Sequence, residues 1–265
     1  MLNSSKRSFL ATLGLAALAL AWAPAQAQEA LANIAKTKTI KIGIPTDYPP
    51  YGFAGLDMKP QGLDIDVANL LAAKMGVKVE LIPVVSANRI PYLQTKKVDL
   101  IVSTLGKNEE RAKVIDFSHA YAPFYQGIFA RKDVTIKSFD DLAGKVVAVT
   151  RGAMEDEMLA KMAPSTVIVK RFEDQAATTA AFASGQTQGI ATSVSNIGVL
   201  SQKQPQLGVE YKLLLRDSPC FVGIAKGEDA LRNKVNEIIL AAKTDGTINE
   251  LSKKWLKRDA GDLPL

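Results

Sequence analysis

Cysteine and histidine each occur once in this 265-residue sequence, as Cys220 and His119. One cysteine excludes an intramolecular disulfide. Its setting, Pro219 before it and Phe221-Val-Gly-Ile after it, points to a buried, inert thiol rather than a nucleophile. One histidine excludes a His cluster for a metal and a serine-type triad, so no metal and no cofactor is expected. His119 itself lies between Ser118 and Tyr121 and is expected on a surface turn or at an interface between lobes. No run of basic residues is interleaved with aromatics, which argues against nucleic acid as a partner. The formal net charge of +6 is spread over scattered lysines and suits solubility. There is no short-period repeat and no low-complexity segment. The apolar stretch from Phe9 to Ala23 is too short for a membrane anchor, which needs about 20 apolar residues.

What is present at the start is a secretion signal. Lys6 and Arg7 make a positive beginning, Phe9 to Ala23 an apolar core, and Ala25-Gln-Ala27 a small-residue cleavage site. Residues 1–27 are thus expected to be removed, and 265 residues less 27 leave 238, with a net charge of +4. That length suits one large domain or two small ones. No cysteine lies near the cleavage site, so an acylated lipoprotein is not indicated. Ser5-Lys-Arg-Ser-Phe-Leu10 has Lys6 where a twin-arginine signal has its first arginine, which favours the general secretory route. The expected location is the periplasm.

Along the remaining chain, strands alternate with helices. Ile40–Ile44, Val77–Val84, Val98–Val102, Lys145–Thr150, Val167–Arg171, Gly189–Thr192 and Val222–Ala225 read as strands. Asp64–Met75, Glu155–Met162, Asp174–Ser184, Val194–Gln202, Ala230–Asp245 and Ile248–Leu256 read as helices. Such alternation argues for an α/β fold with parallel strands. The pattern restarts at Lys145, after the extended Tyr125–Arg131, and returns near Cys220–Ile224.

One stretch carries chemistry. The apolar run Val98 to Val102 breaks into a polar loop, Ser103-Thr104, and Arg111 follows on a short helix. Hydroxyls, N–H groups of a helix start and a guanidinium together suit a carboxylate. Four other motifs accompany it: Tyr48-Pro-Pro-Tyr-Gly-Phe53, Gly62-Leu-Asp-Ile-Asp-Val-Ala-Asn-Leu-Leu71, the strand and turn Gly144 to Gly152, and Asp245-Gly-Thr-Ile-Asn-Glu-Leu-Ser-Lys-Lys-Trp255. In this order and spacing the chain resembles the family 3 solute-binding proteins of bacterial ABC importers, over about residues 38 to 258. Ser86-Ala-Asn-Arg-Ile-Pro-Tyr-Leu-Gln94 is similar to the glutamate/aspartate-binding branch.

The resemblance implies a type II periplasmic binding protein of two lobes, with the ligand cleft between them and two hinge strands joining them. Lobe 1 would be residues 28–124 and 223–265, and lobe 2 residues 125–222. It implies a monomer that binds a small carboxylate-bearing solute, with an acidic or polar amino acid favoured, and hands it to an inner-membrane ABC permease. Arg111 would bind the ligand's α-carboxylate, helped by Ser103, Thr104 and the backbone at Gly106, where relatives often carry a hydroxyl. Tyr48 would cover the ligand. The turn Gly152-Ala153-Met154 would offer N–H groups to the same carboxylate. Arg89 would reach a side-chain carboxylate, with a solvated arginine as the alternative, and Arg151 is a further cation to consider. Ser193 stands where the family usually has an ammonium-binding aspartate. It also suits the N-cap of the following helix. Either another carboxylate replaces that aspartate or the ligand lacks an amine.

Asp64, Asp66 and Glu109 read as acids favoured by helix starts rather than as contacts. A binding protein, not an enzyme, is expected. The alternative is an enzyme similar to the cyclohexadienyl dehydratases, which use a glutamate near the position of Glu155. That residue reads more simply as another first-turn acid. A sensory domain is not expected, because no membrane-spanning or effector segment follows Leu265.

Overall fold

The computed structural model describes residues 29–265; the secretion signal read in residues 1–27 lies outside them. The chain opens with α1 (Glu29–Thr37) and β1 (Thr39–Ile44). Three short strands, β2 (Asp47–Tyr48), β3 (Gly52–Ala54) and β4 (Pro60–Gln61), make a small sheet of their own. Then come α2 (Leu63–Met75), β5 (Lys78–Pro83), α3 (Arg89–Gln94), β6 (Leu100–Leu105), α4 (Glu109–Val114) and β7 (Ile115–Ala122). Gly76 ends α2 because it takes the left-handed conformation, φ 67°, that brings its N–H back onto the last turn.

The chain next builds β8 (Tyr125–Arg131), β9 (Val146–Thr150), α5 (Met154–Met162), β10 (Ile168–Phe172), α6 (Gln175–Ala183), β11 (Gly189–Ser193), α7 (Val194–Lys203) and β12 (Val209–Asp217). It closes with β13 (Cys220–Ala225), α8 (Asp229–Thr244) and α9 (Thr247–Leu256).

Two five-stranded sheets result, ordered β5-β1-β6-β13-β7 and β10-β9-β11-β8-β12. In the first, β1 runs parallel to β5 and β6, while β13 is antiparallel to β6 and β7. In the second, β9 runs parallel to β10 and β11, while β8 is antiparallel to β11 and β12. The sheets are therefore mixed rather than purely parallel. The reason is that each chain crossing between lobes enters its new sheet against the existing strands. The crossings lie side by side, between Ala122 and Tyr125 and between Asp217 and Cys220, and the Ser218 N–H donates to the Phe124 carbonyl at 3.0 Å.

Each lobe has core on both faces of its sheet. In the first, Ile40, Ile42, Leu71 and Val235 pack on one side and Leu93, Ile101 and Leu105 on the other. In the second, Ile128 and Val147 face Leu159, while the next residue along, Phe129, turns to Phe182 and Ile190. That switch follows from the two-residue period of a strand. Each such side chain contributes about 1.5–3 kcal/mol when fully buried.

Several local expectations change. Ser103 and Thr104 belong to β6 rather than to a loop after it. His119 lies within β7, its N–H donating to Asn236 Oδ1 on α8 at 2.7 Å, and not on a turn. Strands β7 and β12 escape the apolar pattern because their faces are only partly covered and their sequences mix polar with apolar residues. Among the described residues, no helix is long and apolar enough to cross a membrane.

Candidate functional site

The lobes meet along a cleft that holds most of the residues singled out above. Tyr48, at the end of β2, is buried, and its hydroxyl accepts the Ser193 N–H at 3.3 Å and lies 3.4 Å from Thr192 Oγ1. Its ring packs on Tyr51 and Phe124. Tyr51 does more than pack: its hydroxyl donates to Ser195 Oγ across the cleft at 3.3 Å.

Thr104 takes a left-handed conformation, φ 44°. Its N–H donates to Asp64 Oδ2 at 2.9 Å, and Asp64 Oδ1 accepts from the Tyr121 hydroxyl at 2.8 Å. Asp64 is thus a buried anchor for this bend, not merely an acid at a helix start. Burial pushes its pKa to about 7, against the pull of those two donors and of Arg89.

The two arginines differ. Arg89 is buried at the start of α3, which rules out the solvated alternative. It donates to Ser86 Oγ through Nη2 and reaches the Thr104 carbonyl through Nη1 at 3.5 Å, while its Nε has no partner among the described residues. Burial, and then the charge of Arg111, lower its pKa. Arg111 is also buried, held by the short helix that Asn108 caps: Asn108 Oδ1 accepts the Arg111 N–H at 2.8 Å. Its Nη1 donates to the Gly106 carbonyl at 3.1 Å and its Nη2 to the Gly152 carbonyl at 3.2 Å. Nε and Nη2 both donate to Glu157 Oε1 of the other lobe, at 3.1 and 2.7 Å. Asn108 Nδ2 donates to Glu157 Oε2 at 2.6 Å. Glu157 was not foreseen; it is one of three acids in the first turn of α5, and nothing in the sequence separates it from the others.

From the second lobe, the turn at Gly152 presents a carbonyl to Arg111, and two of the three N–H groups expected to face a carboxylate, those of Gly152 and Ala153, are engaged within the turn and α5. The Gly152 N–H donates to Asp156 Oδ2 at 3.3 Å and the Ala153 N–H to the Thr150 carbonyl at 3.1 Å. Gly152 is left-handed, φ 69°, and a Cβ there would come within 2.9 Å of the Ala87 backbone in the first lobe. The methyl end of Met154 fills the space beside Gly106, where an added Cβ would meet it at 2.9 Å. Arg151 points away to Glu173 on the surface, at 2.9 Å, and brings no third cation to the cleft.

Ser193 is buried and caps α7, its Oγ accepting the Asn196 N–H at 3.2 Å. Near it lie two groups that the sequence left unremarked or undervalued. Gln126 and Glu155 are both buried, and Oε1 of each has no partner among the described residues. Burial pushes the Glu155 carboxyl up to about 7, while Arg89, Arg111 and the Gln126 amide act to lower it. Glu155 is therefore no ordinary first-turn acid facing water.

Beside Tyr48, Arg89 and Thr104 the gap between lobes is only about 10 Å³; next to it, a cavity of about 200 Å³ is lined by Ser86, Arg89, Arg111, Gly152 and Glu157. The narrow gap beside Tyr48 and Thr104 is too small for a solute unless the lobes part.

Two lobes, two crossing segments and a cleft lined by buried charges invite comparison with known proteins. Residues 40–258 match the family model described as bacterial extracellular solute-binding proteins, family 3. The chain belongs to that family. This solute-binding protein is similar to a glutamine-binding protein of Bacillus subtilis, 29% identical over 240 residues, covering 89% of this chain and 87% of the relative. An ancestral arginine-binding protein bound to arginine superposes with a TM-score of 0.78 at 32% identity, over 82% of this chain and 98% of that one. An ancestral amino acid-binding protein described as a precursor of cyclohexadienyl dehydratase gives a TM-score of 0.76 at 33% identity, over 85% and 98% of the two chains. The fold is that of the type II periplasmic binding proteins.

Proposed function

We propose that the protein binds a small carboxylate-bearing solute, an acidic or polar amino acid by preference, in the periplasm and delivers it to an inner-membrane ABC permease. The observation that carries the charge preference is the pair of buried guanidiniums, Arg89 and Arg111, facing one cleft. Buried like charges are costly without anions beside them. Glu157 neutralises Arg111 in the closed form, and a ligand carboxylate would displace it there or settle on Arg89, whose Nε has no partner. Tyr48, Ser103, Thr104, Gly106, Gly152, Ala153, Met154 and Ser193 would complete the wall. The relatives named above are described by glutamine and arginine, so the acidic preference rests on the charges of this cleft and not on them.

Calorimetry with glutamate, aspartate, succinate, glutamine and arginine tests the reading. Arg89→Ala is expected to weaken a dicarboxylate by about 2–5 kcal/mol, as removing one partner of a buried charge pair does. Arg111→Lys should not restore what Arg111→Ala loses, because lysine lacks the planar fork. Tight binding of arginine by the wild type, with acids indifferent to Arg89→Ala, would refute it.

A second reading has an observation of its own. Glu155, buried at a helix start with a pKa near neutrality, has the properties of a general acid. A dehydratase-like enzyme would consume prephenate or arogenate, and Glu155→Gln would abolish that turnover.

A further inference from the structure

The cleft contains a signed pattern of unpartnered polar atoms. On the first lobe, Arg89 Nε is a buried donor without an acceptor. On the second, Glu155 Oε1 and Gln126 Oε1 are buried acceptors without a donor. Buried polar atoms in a folded protein nearly always find partners, so unpartnered ones that converge on a cleft mark the complement of what enters it. Gln126 and Ser193 are directly opposed in the antiparallel pairing of β8 with β11. Directly opposed residues carry their side chains on the same face of the sheet. The Ser193 hydroxyl, however, is occupied in capping α7. The Gln126 amide instead reaches toward Glu155 and stabilises its carboxylate, as do the facing charges of Arg89 and Arg111.

We propose that Glu155 and Gln126 together receive the ammonium group of the solute, in place of a carboxylate at position 193, while Arg89 takes a carboxylate of the same molecule. This rests on the solute-binding reading above and narrows it to an amine-bearing acid, an α-amino acid rather than a simple dicarboxylate. A solute lacking the amine leaves both acceptors unpartnered and sets its own negative groups beside Glu155. An ammonium, with three N–H donors, satisfies both acceptors at once.

The test pairs each amino acid with its amine-free counterpart at pH 8: glutamate with glutarate, aspartate with succinate, glutamine with glutaramate. The wild type is expected to prefer the amine-bearing member of at least one pair by about tenfold or more, the size of a hydrogen-bonded charge contact. Glu155→Gln and Gln126→Leu should each reduce that preference, mainly by weakening the amino acid. Arg89→Ala should weaken both members and leave their ratio alone. Thermal melts check that each variant folds, and Gln126→Leu keeps the test valid if Glu155→Gln does not. A preference for the amine that survives in both variants overturns the inference while leaving solute binding intact. A wild type that binds no member of any pair overturns the solute-binding reading, and the inference with it. Prephenate turnover that vanishes in Glu155→Gln would assign the carboxyl to proton transfer and overturn the ammonium role.

Discussion

Asp64 governs the first lobe's side of the cleft at the scale of a single residue. It holds the Thr104 N–H and the Tyr121 hydroxyl on its two oxygens, and so keeps Thr104 in a conformation, φ 44°, that a β-branched residue otherwise avoids. Because burial raises its pKa to about 7, above the ordinary carboxylate value, the folded state binds a proton more readily than the unfolded one. Its contribution to stability is then greatest at low pH and is lost as pH rises from about 4 through about 7. Glu155, raised to about the same value for the same reason, adds to that trend. Asp64→Asn removes one of the two buried carboxyls. The fall in melting temperature between pH 5 and pH 8 should be smaller in Asp64→Asn than in the wild type by several degrees, at about 2–4 °C per kcal/mol for a chain of this size. Equal pH profiles for the two proteins would show that Asp64 stays ionised when folded. Nothing in the sequence distinguishes Asp64 from Asp66, two residues on. Both suit a helix start, but they lie on different sides of α2. Asp66 meets Lys254 and Trp255 near the surface, whereas Asp64 turns into the interior of the lobe, beneath Thr104. Burial separates them, and it is a property of the assembled lobe.

At the scale of elements, the short α1 was missed, but the helices after it and the parallel strands were readable because their apolar residues repeat at the right period and several end at Gly or Pro. The strands that close each sheet, β7 and β12, were not, since a strand covered on only part of its faces keeps polar residues. The turn before α5 was readable as a turn but not in its chemistry. The Gly152 and Ala153 N–H groups satisfy Asp156 and Thr150 internally, and the Gly152 carbonyl meets Arg111. What this turn needs is a residue without a side chain at 152. Gly152→Ala would meet two obstacles, the left-handed backbone and the Ala87 backbone at 2.9 Å across the cleft. Gly144 has the same φ, 69°, with nothing near an added Cβ. Gly144→Ala is therefore the control: both variants should lose about 1 kcal/mol or more of stability from the backbone. Only Gly152→Ala should also weaken solute binding, by about tenfold for each 1.4 kcal/mol of hindered closure. Equal affinities in the two variants would mean that the lobes close without bringing residues 87 and 152 together.

For the molecule as a whole, the question is what holds the lobes shut. The closing contacts include Tyr48 with Ser193, Tyr51 with Ser195, and Asp47, whose Oδ2 accepts the Gln175 N–H at 2.6 Å. Among the described residues, only the Arg111–Glu157 bridge joins opposite charges across the cleft at the position assigned to a ligand carboxylate. Glu157 is about a third exposed at 34%, against 6% for Arg111, so the acid can swing away while the arginine cannot. An intramolecular carboxylate on Arg111 does two things at once. It spares the buried guanidinium from being unpaired when the lobes meet, and it competes with any solute for the same fork. Glu157→Gln should separate those effects. Without a solute, the loss of the ion pair should move the open-to-closed ratio toward open by roughly tenfold, the equivalent of about 1.4 kcal/mol. Small-angle scattering would register that as a larger radius of gyration. Saturating glutamate should bring the variant back to the wild-type dimension, because the ligand carboxylate then supplies the missing charge. A variant that stays as compact as the wild type without solute would place the closing energy in the neutral contacts of Tyr48, Tyr51 and Asp47. A variant that opens and that no carboxylate closes would remove Arg111 from the binding site.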